Sequence, residues 1–181
     1  MPLVRLICAL AACAVAPLAQ ADPKQRWDAL STGLALGLPA LAAGRTLAAD
    51  DRDGLLSLTL SLGGTYAAAE LIKRQHPVLR PDGSDRQSFP SGHTAIAFAA
   101  AHYLDVREGA ALDPLLRVGV YGAAGLTALA RVEAKKHFWK DTVAGGALGY
   151  VVSDVATHAR GTQVSLLPTP GGFSVTAATA W

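Results

Sequence analysis

Four largely apolar stretches, Leu55–Ala69, Thr94–Leu104, Val118–Ala130 and Thr142–Ser153, recur along the chain with polar loops between them. They are built from alanine, leucine and glycine, with few β-branched runs. Such residues favour closely packed helices over a sheet. Each stretch is shorter than the roughly 20 residues a membrane-spanning helix needs. Arg117 and Asp154 stand where an extension would run. The chain therefore reads as an all-α protein, an antiparallel bundle of about five to six helices. These lengths favour a soluble or peripheral protein and leave a thin integral bundle as the alternative.

The expected helices run from about Trp27 to Ala43 with a kink at Pro39, Leu55 to Lys73, His93 to Val106, Pro114 to Arg131 and Phe138 to Thr157. Between them, ADDRDG (49–54) reads as a turn. It is not a calcium loop, because Ala49 and Leu60 occupy the first and last ligand positions. The tail after residue 162 carries Pro168, Pro170 and Gly171-Gly172 between short alternating stretches, which suits an irregular segment or a hairpin.

At 181 residues the chain has room for one domain. Residues 1–21 read as a signal peptide: a basic start at MPLVR, an apolar stretch, and Ala19-Gln20-Ala21 as the cleavage site. Residues 22–181 are then the single helical domain, exported to a bacterial periplasm or cell envelope. A competing reading takes Leu10-Ala11-Ala12-Cys13 as a lipoprotein signal that leaves Cys13 lipidated. Cys8 and Cys13 both fall in the leader, so the mature chain is expected to carry no thiol chemistry. A net charge of +2, without a basic-aromatic stripe, argues against nucleic acid as a partner.

Charge in this 17% charged chain gathers in three places. The first pairs Lys73, at a helix end, with Arg80 in a proline-bearing loop. A mobile ammonium beside a planar guanidinium suits a phosphate. The second is Phe89-Pro90-Ser91-Gly92-His93. Ser91 and Gly92 stand where the next helix presents unpaired amides to an anion, and His93 follows in its first turn. The third is RVEAKKHFWKD (131–141), in which His137 and Asp141 share a helix face at i and i+4. A carboxylate on one imidazole nitrogen would leave the other free as a nucleophile. Up-down topology brings the end of the second helix, the start of the third, the end of the fourth and the start of the fifth to one rim. Lys73, Arg80, Arg131, Ser91, Gly92, His93, His137 and Asp141 would converge there as an oxyanion site with a built-in nucleophile.

K-x6-R-P, P-S-G-H and R-x5-H-x3-D, in this order, resemble the three-part signature of the type-2 phosphatidic acid phosphatase superfamily. That superfamily also holds bacterial non-specific acid phosphatases and vanadium haloperoxidases. Ala130 departs from the pattern, which usually has serine before the third-motif arginine; no reacting group is lost. The resemblance implies that Lys73, Arg80, Arg131, Ser91 and the Gly92 amide hold the phosphoryl oxygens. It implies that His137 attacks phosphorus, that Asp141 orients His137, and that His93 protonates the leaving group and then activates water.

On this reading the chain is a metal-independent phosphatase of phosphorylated lipids or small phosphomonoesters, such as phosphatidic acid, an isoprenyl phosphate or a lipid A phosphate. It works at a membrane surface, needs no cofactor, and admits vanadate as an inhibitor. Three alternatives stay open: a vanadate-dependent haloperoxidase, a non-catalytic phosphate- or lipid-headgroup-binding protein, and a transferase that hands the phosphoryl group to an acceptor other than water. His76, His102 and His158 match no motif and read as surface or core residues. Phe138 and Trp139 read as core residues or as walls of the site.

Overall fold

The computed structural model of the protein describes residues 21–158 in full, and the backbone of residues 162–169 and 172–179. The expected leader, with Cys8, Cys13 and residues 1–20, lies outside the described residues. The helices are α1 (Pro23–Ala48), α2 (Arg52–Gln75), α3 (Gly92–Glu108), α4 (Pro114–Glu133) and α5 (Trp139–His158), followed by strands β1 (Thr162–Thr169) and β2 (Gly172–Thr179). The strands form an antiparallel hairpin, with Thr162 opposite Thr179 and Thr169 opposite Gly172. Of the two forms the sequence allows for the tail, the hairpin is the one found.

Local chemistry sets the helix starts. Asp22, Asp51 and Asp113 precede α1, α2 and α4, and each side chain accepts a hydrogen bond from a first-turn amide. Pro23 and Pro114 fill first-turn positions where no N–H is needed. The helix α1 runs through Pro39 without interruption.

The bundle is organised around α3. Each of α1, α2, α4 and α5 packs against it, and around it they follow the order α1, α2, α5, α4. The residues that line this centre are small: Ala95, Ala97, Ala99, Ala100 and Ala101 of α3 are fully buried. On α5, Gly145 and Gly149 face α3 so closely that a Cβ would overlap the carbonyl oxygens of Ser91 and Ala95. Such contact between backbones is the way helices pack through small residues. Farther along α3, His102 is buried and bonds Tyr121 of α4 at 3.1 Å and Asp154 of α5 at 3.0 Å. That histidine is a core residue.

The outside reverses the usual pattern. Leu36, Leu60, Leu115, Val118, Val143 and Val155 are large, apolar and exposed. The helices also outrun the apolar stretches of the sequence. Both α2, of 24 residues, and α4, of 20, are long and apolar enough to cross a membrane, and only 28% and 33% of their apolar windows is buried. Helix length therefore does not support the expectation of a soluble or peripheral protein.

Candidate active site

The segment between α2 and α3 folds back on itself. Ser88 N–H donates to the Val78 carbonyl at 2.9 Å and Arg80 N–H to the Asp85 carbonyl at 3.0 Å. The same loop is tied to the α4–α5 turn, where Asp82 N–H donates to the Lys135 carbonyl at 3.1 Å and Lys136 Nζ bonds Asp82 at 2.7 Å. These ties bring Arg80 of the first motif to His137 of the third.

His137 is 2% exposed and is gripped from both sides. Its Nδ1 lies 2.6 Å from the carbonyl oxygen of Ser88, which can only accept. Its Nε2 lies 3.4 Å from Arg80 NH1, which can only donate. The two neighbours together dictate one tautomer, with the proton on Nδ1 and the lone pair on Nε2. Burial first, then Arg131 and Arg80, push the imidazole pKa down to about 3. The ring is therefore neutral, with an available lone pair, across the physiological range.

Asp141 is placed differently from the sequence expectation. Its Oδ2 is 4.0 Å from His137 Nδ1, too far for a hydrogen bond. The Ser88 carbonyl takes the position on Nδ1 that the i, i+4 spacing assigns to Asp141. The fully buried carboxylate oxygen instead accepts from Ser88 Oγ at 2.5 Å and from Phe138 N–H at 2.9 Å. Ser88 thus touches both partners, its carbonyl on His137 and its hydroxyl on Asp141.

Each motif cation is met by a carboxylate. Lys73 Nζ bonds Glu70 at 2.6 Å and stands 3.4 Å from where a Cβ on Gly92 would be. A side chain at Gly92 would crowd the ammonium against the start of α3. Arg80 Nε bonds Asp85 at 2.6 Å, which leaves NH1 toward His137 and the Lys136 carbonyl. Arg131 is 4% exposed; its NH1 bonds Asp28 and also donates to Ser31 Oγ at 3.3 Å. Its Nε is buried without a hydrogen-bond partner.

At the start of α3, Ser91 is fully buried. Its hydroxyl shares a hydrogen bond with Thr94 Oγ1 at 3.0 Å, and its N–H donates to the Asp141 carbonyl at 2.9 Å. Ser91 therefore locks α3 to α5, and the donors the helix start offers an anion are the amides that follow it, from Gly92 onward. His93 Nε2 lies 3.3 Å from Thr32 Oγ1 of α1. Burial, and then Arg131, lower the His93 pKa to about 4, with Asp28 pulling the other way.

Lys73, Arg80, Gly92, His93, Arg131 and His137 thus meet at one end of the bundle, with Ser91 and Asp141 packed directly behind them. Phe138 and Trp139 are exposed, so neither is a core residue. The residues that the motif reading omits are Ser88 and the α1 group Asp28, Ser31 and Thr32. The start of α1 shares this rim by the same up-down rule that gathers the other helix ends. A larger cavity of about 420 Å³ lies at the opposite end, where Arg45 and Arg107 are paired with Glu108 and Asp51.

Comparison with known proteins gives the family and the fold. The chain is 38% identical over 77 residues to lipid A 1-phosphatase of Porphyromonas gingivalis, covering 42% of this chain and 17% of that protein. It is 29% identical over 133 residues to a putative phosphatidate phosphatase of Drosophila melanogaster, covering 69% of this chain and 32% of that one. The chain thus spans well under half the length of either relative. Its fold matches the crystal structure of the first transmembrane PAP2 type phosphatidylglycerolphosphate phosphatase from Bacillus subtilis, with a TM-score of 0.60 at 22% identity over 84% of this chain and 85% of that one. It also matches Aquifex aeolicus LpxE, with a TM-score of 0.53 at 20% identity over 71% and 85% of the two chains. Residues 54–165, which hold all three motifs, match the family model of the PAP2 superfamily, and the chain belongs to that superfamily.

Proposed function

We propose that the protein is a metal-independent phosphatase that hydrolyses phosphate monoesters or diphosphates of lipids, through a phosphohistidine on His137, at the membrane of a cell envelope. The observation that carries this reading is the double grip on His137: Nδ1–H on the Ser88 carbonyl, and the Nε2 lone pair facing the Arg80 guanidinium. An imidazole held in this way is a nucleophile aimed at a cation cluster.

In the proposed first step, Nε2 attacks phosphorus and the phosphorus–oxygen ester bond breaks. The leaving oxygen takes its proton from His93. In the second step His93 accepts a proton from water, the resulting hydroxide attacks phosphorus, and the phosphorus–nitrogen bond breaks. Phosphate leaves and His137 returns to its neutral form. The Nδ1 proton stays on the ring, donated to the Ser88 carbonyl, throughout. Lys73, Arg80, Arg131 and the amides at the start of α3 surround the phosphoryl oxygens and stabilise their charge. Burial and the cations leave His93 neutral at neutral pH in the free site. The negative charge of the bound phosphate restores its proton, so substrate binding arms the acid.

The lipid part of the reading rests on an apolar groove of about 260 Å³ that opens beside the cations. Lys73 and His93 stand at its charged end, and Ala35, Leu36, Tyr66 and Ile96 form its walls. The exposed apolar faces of α2 and α4 support a place within the bilayer, with Trp139 and Phe138 at the level of the interface. The named activity of the Porphyromonas gingivalis relative points to the same class of substrate. The test is phosphate release in EDTA from an aryl phosphate, phosphatidic acid and an isoprenyl diphosphate, with His137→Ala in parallel. Release that survives EDTA and disappears in the variant is the expected result. Release that requires added metal, or that persists in His137→Ala, refutes the mechanism.

A further inference from the structure

We propose that one face of α1, formed by Asp28, Ser31 and Thr32, positions Arg131 and His93 for the phosphoryl chemistry. The inference rests on the phosphatase reading above. The three residues lie at i, i+3 and i+4, on one side of the first turns of α1. They are outside the 54–165 region that matches the superfamily and belong to none of its three motifs. They nevertheless touch two groups that face the phosphate.

Arg131 needs such a partner. It is 4% exposed, cannot give up its charge, and presents five N–H donors in a rigid fork. Asp28 and Ser31 both engage NH1. That fixes the rotation of the fork and leaves Nε and the second terminal nitrogen for other work. Nε is buried and has no hydrogen-bond partner in the protein, as expected of a donor kept for a ligand oxygen. Neither Glu70 on Lys73 nor Asp85 on Arg80 comes from another helix of the bundle, whereas Asp28 reaches across from α1 to α4.

Thr32 acts on the second group. Its hydroxyl, 3.3 Å from His93 Nε2, sets the plane of a ring that sits in the first turn of α3 with freedom about two side-chain bonds. The charged neighbours of that ring are Arg131, Asp28, Lys73 and Arg80, and Asp28 is the anion among them. Asp28 thus offsets Arg131 at His93 while holding Arg131 in place. The Asp28 side chain is 39% exposed, so it sits at the mouth of the site.

The experiment uses the full chain in detergent, with Asp28→Asn, Thr32→Val and Thr32→Ser. Turnover of an aryl phosphate and inhibition by inorganic phosphate are measured across the acid and neutral range. Asparagine keeps an acceptor for Arg131 and removes only the charge. For Asp28→Asn the basic limb of kcat/KM should move to lower pH by about half a unit or more. Phosphate should also inhibit about threefold more tightly, because a negative charge has left the mouth of an anion site. A purely structural role for Asp28 predicts the opposite sign for inhibition and no movement of the limb. Thr32→Val should lower kcat about tenfold at unchanged KM, and Thr32→Ser should restore it to within about twofold. Asp28→Asn with the wild-type limb and unchanged or weaker inhibition, or Thr32→Val with the wild-type kcat, overturns the proposal. His137→Ala run alongside separates the two levels. If that variant keeps its activity, the phosphohistidine reading has failed, and calorimetric phosphate binding by Asp28→Asn still tests the α1 face: tighter binding supports it and unchanged binding overturns it.

Discussion

Neutralising Asp141 separates two ways in which a carboxylate can help a nucleophilic histidine. In the structure the orienting contact on Nδ1 belongs to the Ser88 carbonyl, and Asp141 stands 4.0 Å away without a hydrogen bond to the ring. Orientation should therefore survive loss of the charge, and only the electrostatic effect should be lost. In the proposed phosphohistidine intermediate the ring of His137 carries positive charge. A unit charge at this separation interacts with another by about 4 kcal/mol at an effective dielectric constant near 20. Asp141→Asn should accordingly lower kcat by roughly a thousandfold. KM should change little, because the ring is neutral in the ground state. Asparagine is the appropriate probe: its carbonyl oxygen can still accept from Ser88 Oγ and Phe138 N–H, which are the two bonds Asp141 Oδ2 receives. The assay is steady-state phosphate release at saturating substrate, with the thermal midpoint as a check on folding. A folded Asp141→Asn enzyme within about tenfold of wild type would refute the electrostatic account, since it would leave at most about 1.4 kcal/mol for the charge.

Ser88→Ala removes one of the two hydrogen bonds to the same buried carboxylate while leaving the backbone carbonyl on His137. It should destabilise the protein by about 1.5–3 kcal/mol and reduce kcat less than Asp141→Asn does; chemical denaturation and turnover together check this. Gly149→Ala forces a Cβ into the Ala95 carbonyl oxygen, so α3 and α5 must separate. Overpacking of this kind costs about 1–3 kcal/mol, and the thermal midpoint should fall by about 3–10 °C, with activity falling as well. The acid limb of activity should follow His137, which loses its lone pair on protonation near pH 3, and the basic limb should follow His93, which in the free enzyme loses its proton above about 4. Because bound phosphate raises the His93 pKa, the basic limb of kcat should lie at least about one unit above that of kcat/KM, after correction for the substrate's own ionisation near pH 6. Coincident limbs in the two profiles would count against His93 as the acid.

The helices and the eight motif residues are legible in the sequence because both depend on local rules. Aspartate caps and alanine-rich runs mark the helices, and alternation of direction sends Lys73, Gly92, His93, Arg131 and His137 to one rim. Ser88 is not legible in this way. Its key group is a backbone carbonyl, which no side-chain pattern encodes, and its hydroxyl reaches Asp141 only once the loop has folded back. The pairing of Asp28 with Arg131 spans 103 residues, so no spacing rule suggests it. The lengths of the two most apolar helices were not legible for a third reason. The apolar runs end at Ala69 and Ala130, whereas α2 and α4 continue through Lys73 and Arg131 to Gln75 and Glu133. Counting apolar residues measures the run, whereas the backbone measures the helix.

The small residues at the contact between α3 and α5 bear on how the site works. Helices that pack through leucine and valine lie about 8–10 Å apart. Here Leu38, Leu58, Leu104 and Val120 share the core with a run of buried alanines on α3, and α5 approaches until glycine is required at 145 and 149. The Gly145 contact is with Ser91, the residue that begins the helix whose first amides face the anion. One turn earlier on α5, the Asp141 carbonyl accepts the Ser91 N–H while the Asp141 side chain binds Ser88. Close packing of α3 on α5 thus sets the distance between the amide cradle and His137 through backbone contacts rather than flexible side chains. An interior built this way leaves large apolar side chains such as Leu115 and Val118 on the outside, the surface that lipid would cover in the proposed setting. The same choice of small residues that brings the proposed nucleophile to the cradle leaves the larger apolar side chains for the outer surface.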